Sequence, residues 1–159
     1  MKNSDFLSSK AICANLNGTT KEEVLKELVD VLINTGDVKQ EDKDKLYDVL
    51  MARESLGSTA IGQGVAIPHG KCEYVDKLIG CLAVSKQGID FNSLDGEPSH
   101  IFFLLLAPVD SAGPHLKALA KISKLLKDKY IRDSLKSAKD EQTILDIIKQ
   151  EDERLSSAS

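Results

Sequence analysis

Glu54-Ser55-Leu56-Gly57-Ser58-Thr59-Ala60-Ile61-Gly62-Gln63-Gly64 runs directly into Val65-Ala66-Ile67-Pro68-His69-Gly70. The first segment is rich in glycine and small residues, which is loop chemistry. The second opens on a short apolar triplet, a strand candidate over 65–67 that ends at Pro68-His69-Gly70. A loop delivering a strand in mid-chain decides the fold class once its flanks are read.

Upstream, the flank is helical. Thr20-Lys21-Glu22-Glu23 has the spacing of a capping box, and Val24, Leu25, Leu28, Val29 and Leu32 continue it as an apolar stripe. Gly36 stands where such a helix stops. A second helix is expected over 41–53, with Leu46, Val49 and Leu50 inward. Downstream, 78–85 and 101–106 are apolar enough to be buried strands, joined by the turn-rich 91–98. After a loop over 108–113, Pro114 suits a helix first turn, where a missing amide does no harm. Leu116, Leu119, Ala120, Ile122 and Leu126 are read as that helix's core face. A short helix over 131–137 follows, then one from about Asp140 with Ile144, Leu145, Ile147 and Ile148 inward. Helices at both ends and strands between them predict a single α/β domain over 1–159: a mixed sheet flanked by helices on both faces, its core about 7–150, with Ser156-Ser157-Ala158-Ser159 as a disordered tail.

Composition narrows the function. A chain of 159 residues with net charge −4 lacks the clustered basic surface that phosphate backbones demand, so no nucleic-acid partner is expected. Lys117, Lys121, Lys124 and Lys127 recur at helical spacing and read as a solvated face. Cys13, Cys72 and Cys81 form neither an even set nor a C-x-x-C pair, which argues against a disulfide scaffold or a zinc knuckle. The N-terminus has no apolar signal core, and the longest apolar run, 101–109, falls far short of the about 20 residues that span a bilayer. A cytoplasmic location without membrane insertion is expected.

Three histidines are available. His69, between a rigid Pro68 and a permissive Gly70, is placed either to present its ring at a cleft or to be an ordinary loop histidine. His115 lies in a helix first turn, where free amides and the dipole favour an anion, although without further context an exposed polar residue is the stronger reading there. His100 reads as a solvated residue at the start of a strand. Arg53 closes the second helix, either as a basic residue favoured at that end or as a guanidinium fork for phosphoryl oxygens. His69 and Glu73 have no convergent ligands for a metal. Gly62-Gln63-Gly64 and Gly70-Lys71 match neither a dinucleotide fingerprint nor a P-loop, and no G-x-S-x-G is present.

The stretch from Arg53-Glu54-Ser55-Leu56-Gly57-Ser58-Thr59 to Gly64-Val65-Ala66-Ile67-Pro68-His69-Gly70-Lys71 closely resembles the active-site signature of enzyme IIA domains of the fructose/mannitol class, which includes the nitrogen-regulatory IIA proteins. His115-Leu116-Lys117-Ala118-Leu119-Ala120-Lys121-Ile122-Ser123-Lys124-Leu125-Leu126 resembles their second conserved segment. The likeness covers about 7–149. Ala60 stands where the family more often has Gly, and Gln63 where Asn is frequent.

The resemblance implies a phosphocarrier. Phospho-HPr gives its phosphoryl group to His69, and an enzyme IIB in sugar uptake receives it. The alternative is a nitrogen-regulatory protein whose phosphorylation state controls binding to partner proteins, a role that a free-standing domain favours. The resemblance also places the second active-site histidine on His115 and the active-site arginine on Arg53, with no cofactor and no metal. Leu56, Ile61, Val65 and Leu116 are candidates for a docking face.

Overall fold

A computed structural model describes residues 2–157. At its centre, β5 (Ile79–Ile89) and β6 (Ser99–Pro108) form an antiparallel pair with Leu82 opposite Phe103. Consecutive positions 79–85 and 101–107 are all buried. Successive strand residues face opposite ways, so both faces of this hairpin are covered. Phe102 meets Phe91 edge-on at 5.2 Å between centroids, and its neighbour Phe103 meets Phe6 at 6.1 Å. Each ring anchors one side of the sheet, and truncating either to Ala would cost about 3–5 kcal/mol.

β1 (Leu7–Cys13) pairs parallel with β5 at one edge. Beyond the other edge, β3 (Val65–Ala66) and β4 (His69–Cys72) both run parallel to β6, and β2 (Ala60–Gly62) turns back antiparallel on β3. The sheet is therefore mixed, in the order β1-β5-β6-β3-β2 with β4 also on β6. β3 and β4 keep one register: Val65 lies opposite Ile101, Ala66 opposite Phe102 and His69 opposite Leu105. They are one strand interrupted at Pro68, which has no amide to donate but whose carbonyl still accepts from the Leu105 amide at 2.9 Å. His69 thus begins β4 rather than ending a strand. The turn from β2 to β3 needs left-handed backbone at Gly62, Gln63 and Gly64 (φ 101°, 58° and 78°), and the Asp95 carboxylate accepts the Gln63 amide at 2.9 Å.

Among the described residues, five α-helices cover the sheet. α1 (Lys21–Asn34) is capped by Thr20, whose hydroxyl accepts from the Glu23 amide at 3.2 Å. The Glu23 carboxylate returns to the amide and hydroxyl of Thr19, one residue before the expected reciprocal partner. The expected apolar stripe of α1 is fully buried. α2 (Lys43–Ser55) starts after a 3-10 turn over Gln40–Asp42 and packs on β4; a Cβ on Gly70 would sit 3.2 Å from Val49 Cγ1. This close approach sets the end of α2 against His69.

α3 (Ala112–Leu126) buries His115, Ala118, Ile122, Leu125 and Leu126, whereas Leu116 and Ala120 are exposed. The inward stripe is rotated by one residue from the expected one, because His115 itself occupies a core-facing position. α4 (Lys129–Ser137) is capped by the Asp128 carboxylate, and α5 (Glu141–Ser157) buries Ile144, Leu145 and Ile148. The expected C-terminal tail begins too early, since Ser156 and Ser157 end α5; Ala158 and Ser159 lie outside the described residues. The packed body also exceeds 7–150. Buried Asp152 accepts from Asn3 N (2.9 Å), Asn3 Nδ2 (3.0 Å) and Ser4 N (3.0 Å), which ties α5 to the N-terminal segment.

Candidate functional site

His69, His115 and Arg53 converge from three elements: the start of β4, the first turn of α3 and the last turn of α2. The His69 and His115 rings meet edge to face, with centroids 5.6 Å apart. His69 is half-buried. Its Nδ1 lies 2.7 Å from the Ile67 carbonyl oxygen. A carbonyl can only accept, so Nδ1 carries the proton of the neutral ring and Nε2 keeps its lone pair. Burial pulls the His69 pKa below the ordinary histidine value, and the Arg53 charge pulls the same way; the Ile67 bond and the Glu54 charge oppose them. The resting ring is neutral near pH 7, as a nucleophile must be.

His115 is 7% exposed, and its Nε2 is buried with no hydrogen-bond partner among the described residues. Its pKa is lowered by burial first, then by His69 and Lys71. A buried imidazole nitrogen without a partner, beside the His69 ring, keeps unused hydrogen-bonding capacity. α3 begins with no side-chain cap, because the Ser111 hydroxyl donates to the Pro108 carbonyl at 2.7 Å. The positive end of the helix is therefore close to His115.

Arg53 donates from Nη1 to the Gly57 carbonyl at 2.8 Å and bridges the loop after its own helix. Its charge reaches His69, whose proton affinity it lowers.

Sequence reasoning missed the role of Glu54. Its carboxylate, 2% exposed, accepts from the Thr59 amide at 3.1 Å, from the Thr59 hydroxyl, and from Lys21 Nζ at 3.1 Å. A signal was present: a carboxylate in the last turn of a helix opposes the dipole and needs a compensating partner. Lys71 was also passed over; it is exposed on β4, two residues beyond His69, and acts electrostatically on His115.

His100 departs from its expected solvated position. It is half-buried within β6, and its Nδ1 contacts the Ser85 carbonyl at 3.0 Å, bracing the hairpin away from the site. Of the four docking candidates, Leu56 (84%), Leu116 (68%) and Ile61 (51%) are exposed, while Val65 is buried. Among the described residues, no group of three or more His, Cys, Asp or Glu is arranged to hold a metal ion, and no helix is long and apolar enough to cross a membrane.

The family described as phosphoenolpyruvate-dependent sugar phosphotransferase system, EIIA 2, matches residues 5–151. The chain is 39% identical over 144 residues to a nitrogen regulatory protein of Bradyrhizobium diazoefficiens, covering 91% of this chain and 92% of that one. It is also 39% identical over 152 residues to the fructose-specific EIIABC component of Bacillus subtilis, where it covers 96% of itself but 24% of the relative. Among solved structures, the nitrogen regulatory protein IIA-Ntr of Neisseria meningitidis superposes with a TM-score of 0.82 at 30% identity, over 91% of this chain and 97% of that one.

Proposed function

We propose that this chain, which belongs to the EIIA 2 family of the phosphoenolpyruvate-dependent sugar phosphotransferase system, accepts a phosphoryl group from phospho-HPr on Nε2 of His69 and passes it to an enzyme IIB. The observation that carries this reading is the bond from His69 Nδ1 to the Ile67 carbonyl, which leaves Nε2 as the free nucleophile. In the transfer, the P–N bond to the donor imidazole breaks in line as the bond to Nε2 forms. His69 need lose no proton first, because Nε2 enters with its lone pair.

Charge develops on the equatorial phosphoryl oxygens, so the protein's contribution is positioning and electrostatic stabilisation. His115 donates to one oxygen through Nε2. Arg53 swings part of its fork from Gly57 to another. The same negative charge raises the proton affinity of His115, so that the donor becomes stronger once the group has arrived. Donor and acceptor are both proteins, and exposed Leu56, Ile61 and Leu116 supply an apolar rim on which either can dock. We place the reaction in the cytoplasm.

Heteronuclear NMR of the phosphorylated protein tests the regiochemistry. The phosphorus should couple to Nε2 of His69; coupling to Nδ1 would overturn the assignment.

A second reading has its own support in the two nitrogen regulatory relatives. In it, the phosphoryl group on His69 changes which protein partner is gripped and is not passed on. Adding enzyme IIB to the phosphorylated protein separates the two: loss of the label from His69 to IIB supports the carrier, and retention supports the regulator.

A further inference from the structure

A continuous chain of hydrogen bonds runs behind His69. Lys21 Nζ donates to the Glu54 carboxylate at 3.1 Å. That carboxylate accepts both the amide and the hydroxyl of Thr59. The Thr59 carbonyl accepts the Ile67 amide at 3.0 Å, one rung beyond the Ala60–Ala66 pair of the β2–β3 ladder. The Ile67 carbonyl accepts His69 Nδ1–H at 2.7 Å. Between the Glu54 carboxylate and the His69 ring the path runs through the backbone groups of Thr59 and Ile67.

On the β6 side of this segment the Pro68 carbonyl accepts the Leu105 amide at 2.9 Å; on the β2 side the Ile67 amide is held by Thr59. The strand is broken at Pro68, and β3 pairs with β6 at only two positions, Val65 and Ala66. Ser58 holds the front of the loop, donating to the Phe91 carbonyl at 2.6 Å and accepting from the Ala60 amide at 3.0 Å. Glu54 holds the residue between Ser58 and Ala60, which is the one that contacts Ile67. Burying a carboxylate this deeply is costly unless it is paired and hydrogen-bonded, and all three partners here serve that end.

We propose that Glu54 is a positioning residue for His69: through Thr59 and Ile67 it holds the carbonyl that keeps the proton on Nδ1 and so keeps Nε2 the phosphoryl acceptor. The inference rests on the phosphocarrier reading for its consequence, and on the hydrogen-bond chain alone for its mechanism. Glu54 also lies near enough for its charge to support proton binding by His69.

The test combines the ¹⁵N shifts of the His69 ring at pH 8 with the initial rate of phosphorylation by phospho-HPr. Wild type should show a single Nδ1–H tautomer. Glu54→Ala removes both acceptors; it should give a mixture of tautomers in the folded protein and a rate lower by about tenfold, in the range that carboxylates behind working histidines are worth. Glu54→Gln retains an oxygen for the Thr59 amide, so it should restore the Nδ1–H tautomer and most of the rate. A merely structural Glu54 would change stability and leave the tautomer alone.

A folded Glu54→Ala with the wild-type tautomer and rate would overturn the inference. If Glu54→Ala does not fold, Thr59→Val decides, because it removes only the hydroxyl donor and keeps the Lys21–Glu54 pair. It should show partial loss of the single tautomer, and a wild-type spectrum there would overturn the inference equally. A wild-type protein that is never phosphorylated would refute the carrier reading instead, and the tautomer measurement would still stand as the test of Glu54.

Discussion

The rings of His69 and His115 meet edge to face, 5.6 Å between centroids, although one begins an edge strand and the other sits in a helix first turn. Both have a pKa below the ordinary histidine value, and burial is the main cause for each. The pair is therefore uncharged at neutral pH.

That has a sign for stability. Unfolded, each histidine takes up a proton near pH 6.5; folded, it does so only at lower pH. Between those values the unfolded chain binds more protons, so stability is intact above about 6.5 and falls as the pH drops through it. Urea midpoints at pH 7.5 and 5.5 should differ less in a His69→Gln/His115→Gln double variant than in wild type. Equal differences would remove the claim.

His115→Ala should leave His69 open to phosphorylation, since the nucleophile and its Ile67 partner are untouched. Onward transfer to enzyme IIB should slow by about 10²-fold, the usual effect of losing one donor to a developing oxyanion. Rapid-quench transfer assays measure this directly, and transfer at the parental rate would deny His115 its role.

Arg53→Lys separates charge from shape. A lysine keeps the positive charge near His69 but cannot bridge the Gly57 carbonyl and a phosphoryl oxygen with one planar fork. Phosphorylation should slow in both Arg53→Lys and Arg53→Ala, by about tenfold or more in the alanine variant. Unchanged kinetics in both would return Arg53 to the part of a helix-end cation that spans a loop.

Gln63 is one of two non-glycine residues with left-handed backbone among the described residues, at φ 58°. Asparagine tolerates that conformation better. Gln63→Asn should raise thermal stability by about 0.5–1 kcal/mol without altering phosphorylation, because the bond from its amide to Asp95 is made by the backbone. A lower melting temperature would show that the Gln63 side chain has a role of its own.

Elements with a strong period were legible before the structure. The stripe of α1 and the apolar runs of β5 and β6 carry their burial in their residues. β1 did not announce itself, because Leu7-Ser8-Ser9-Lys10-Ala11-Ile12-Cys13 is an edge strand whose middle residues face solvent. β2 and β4 span 60–62 and 69–72 and contain too few residues to show any alternation.

At the site, His69, His115 and Arg53 were nameable from a motif, yet their convergence needed the β4–β6 register and the close packing of α2 on Gly70. The stripe of α3 was misphased because Leu116 was taken for core; in the fold, the polar His115 takes the inward place and Leu116 is exposed. Glu54 was hidden for a different reason. Its partners Lys21 and Thr59 lie on opposite sides of it in the chain, and only the folded loop brings them together.

The most direct measurement is the intact mass of the protein after incubation with phosphoenolpyruvate, enzyme I and HPr, taken before and after mild acid. The account predicts a gain of one phosphoryl group that is lost in acid and absent from His69→Ala. A folded protein that gains no mass while a control IIA domain is phosphorylated alongside it, or a gain that persists in His69→Ala, would contradict it.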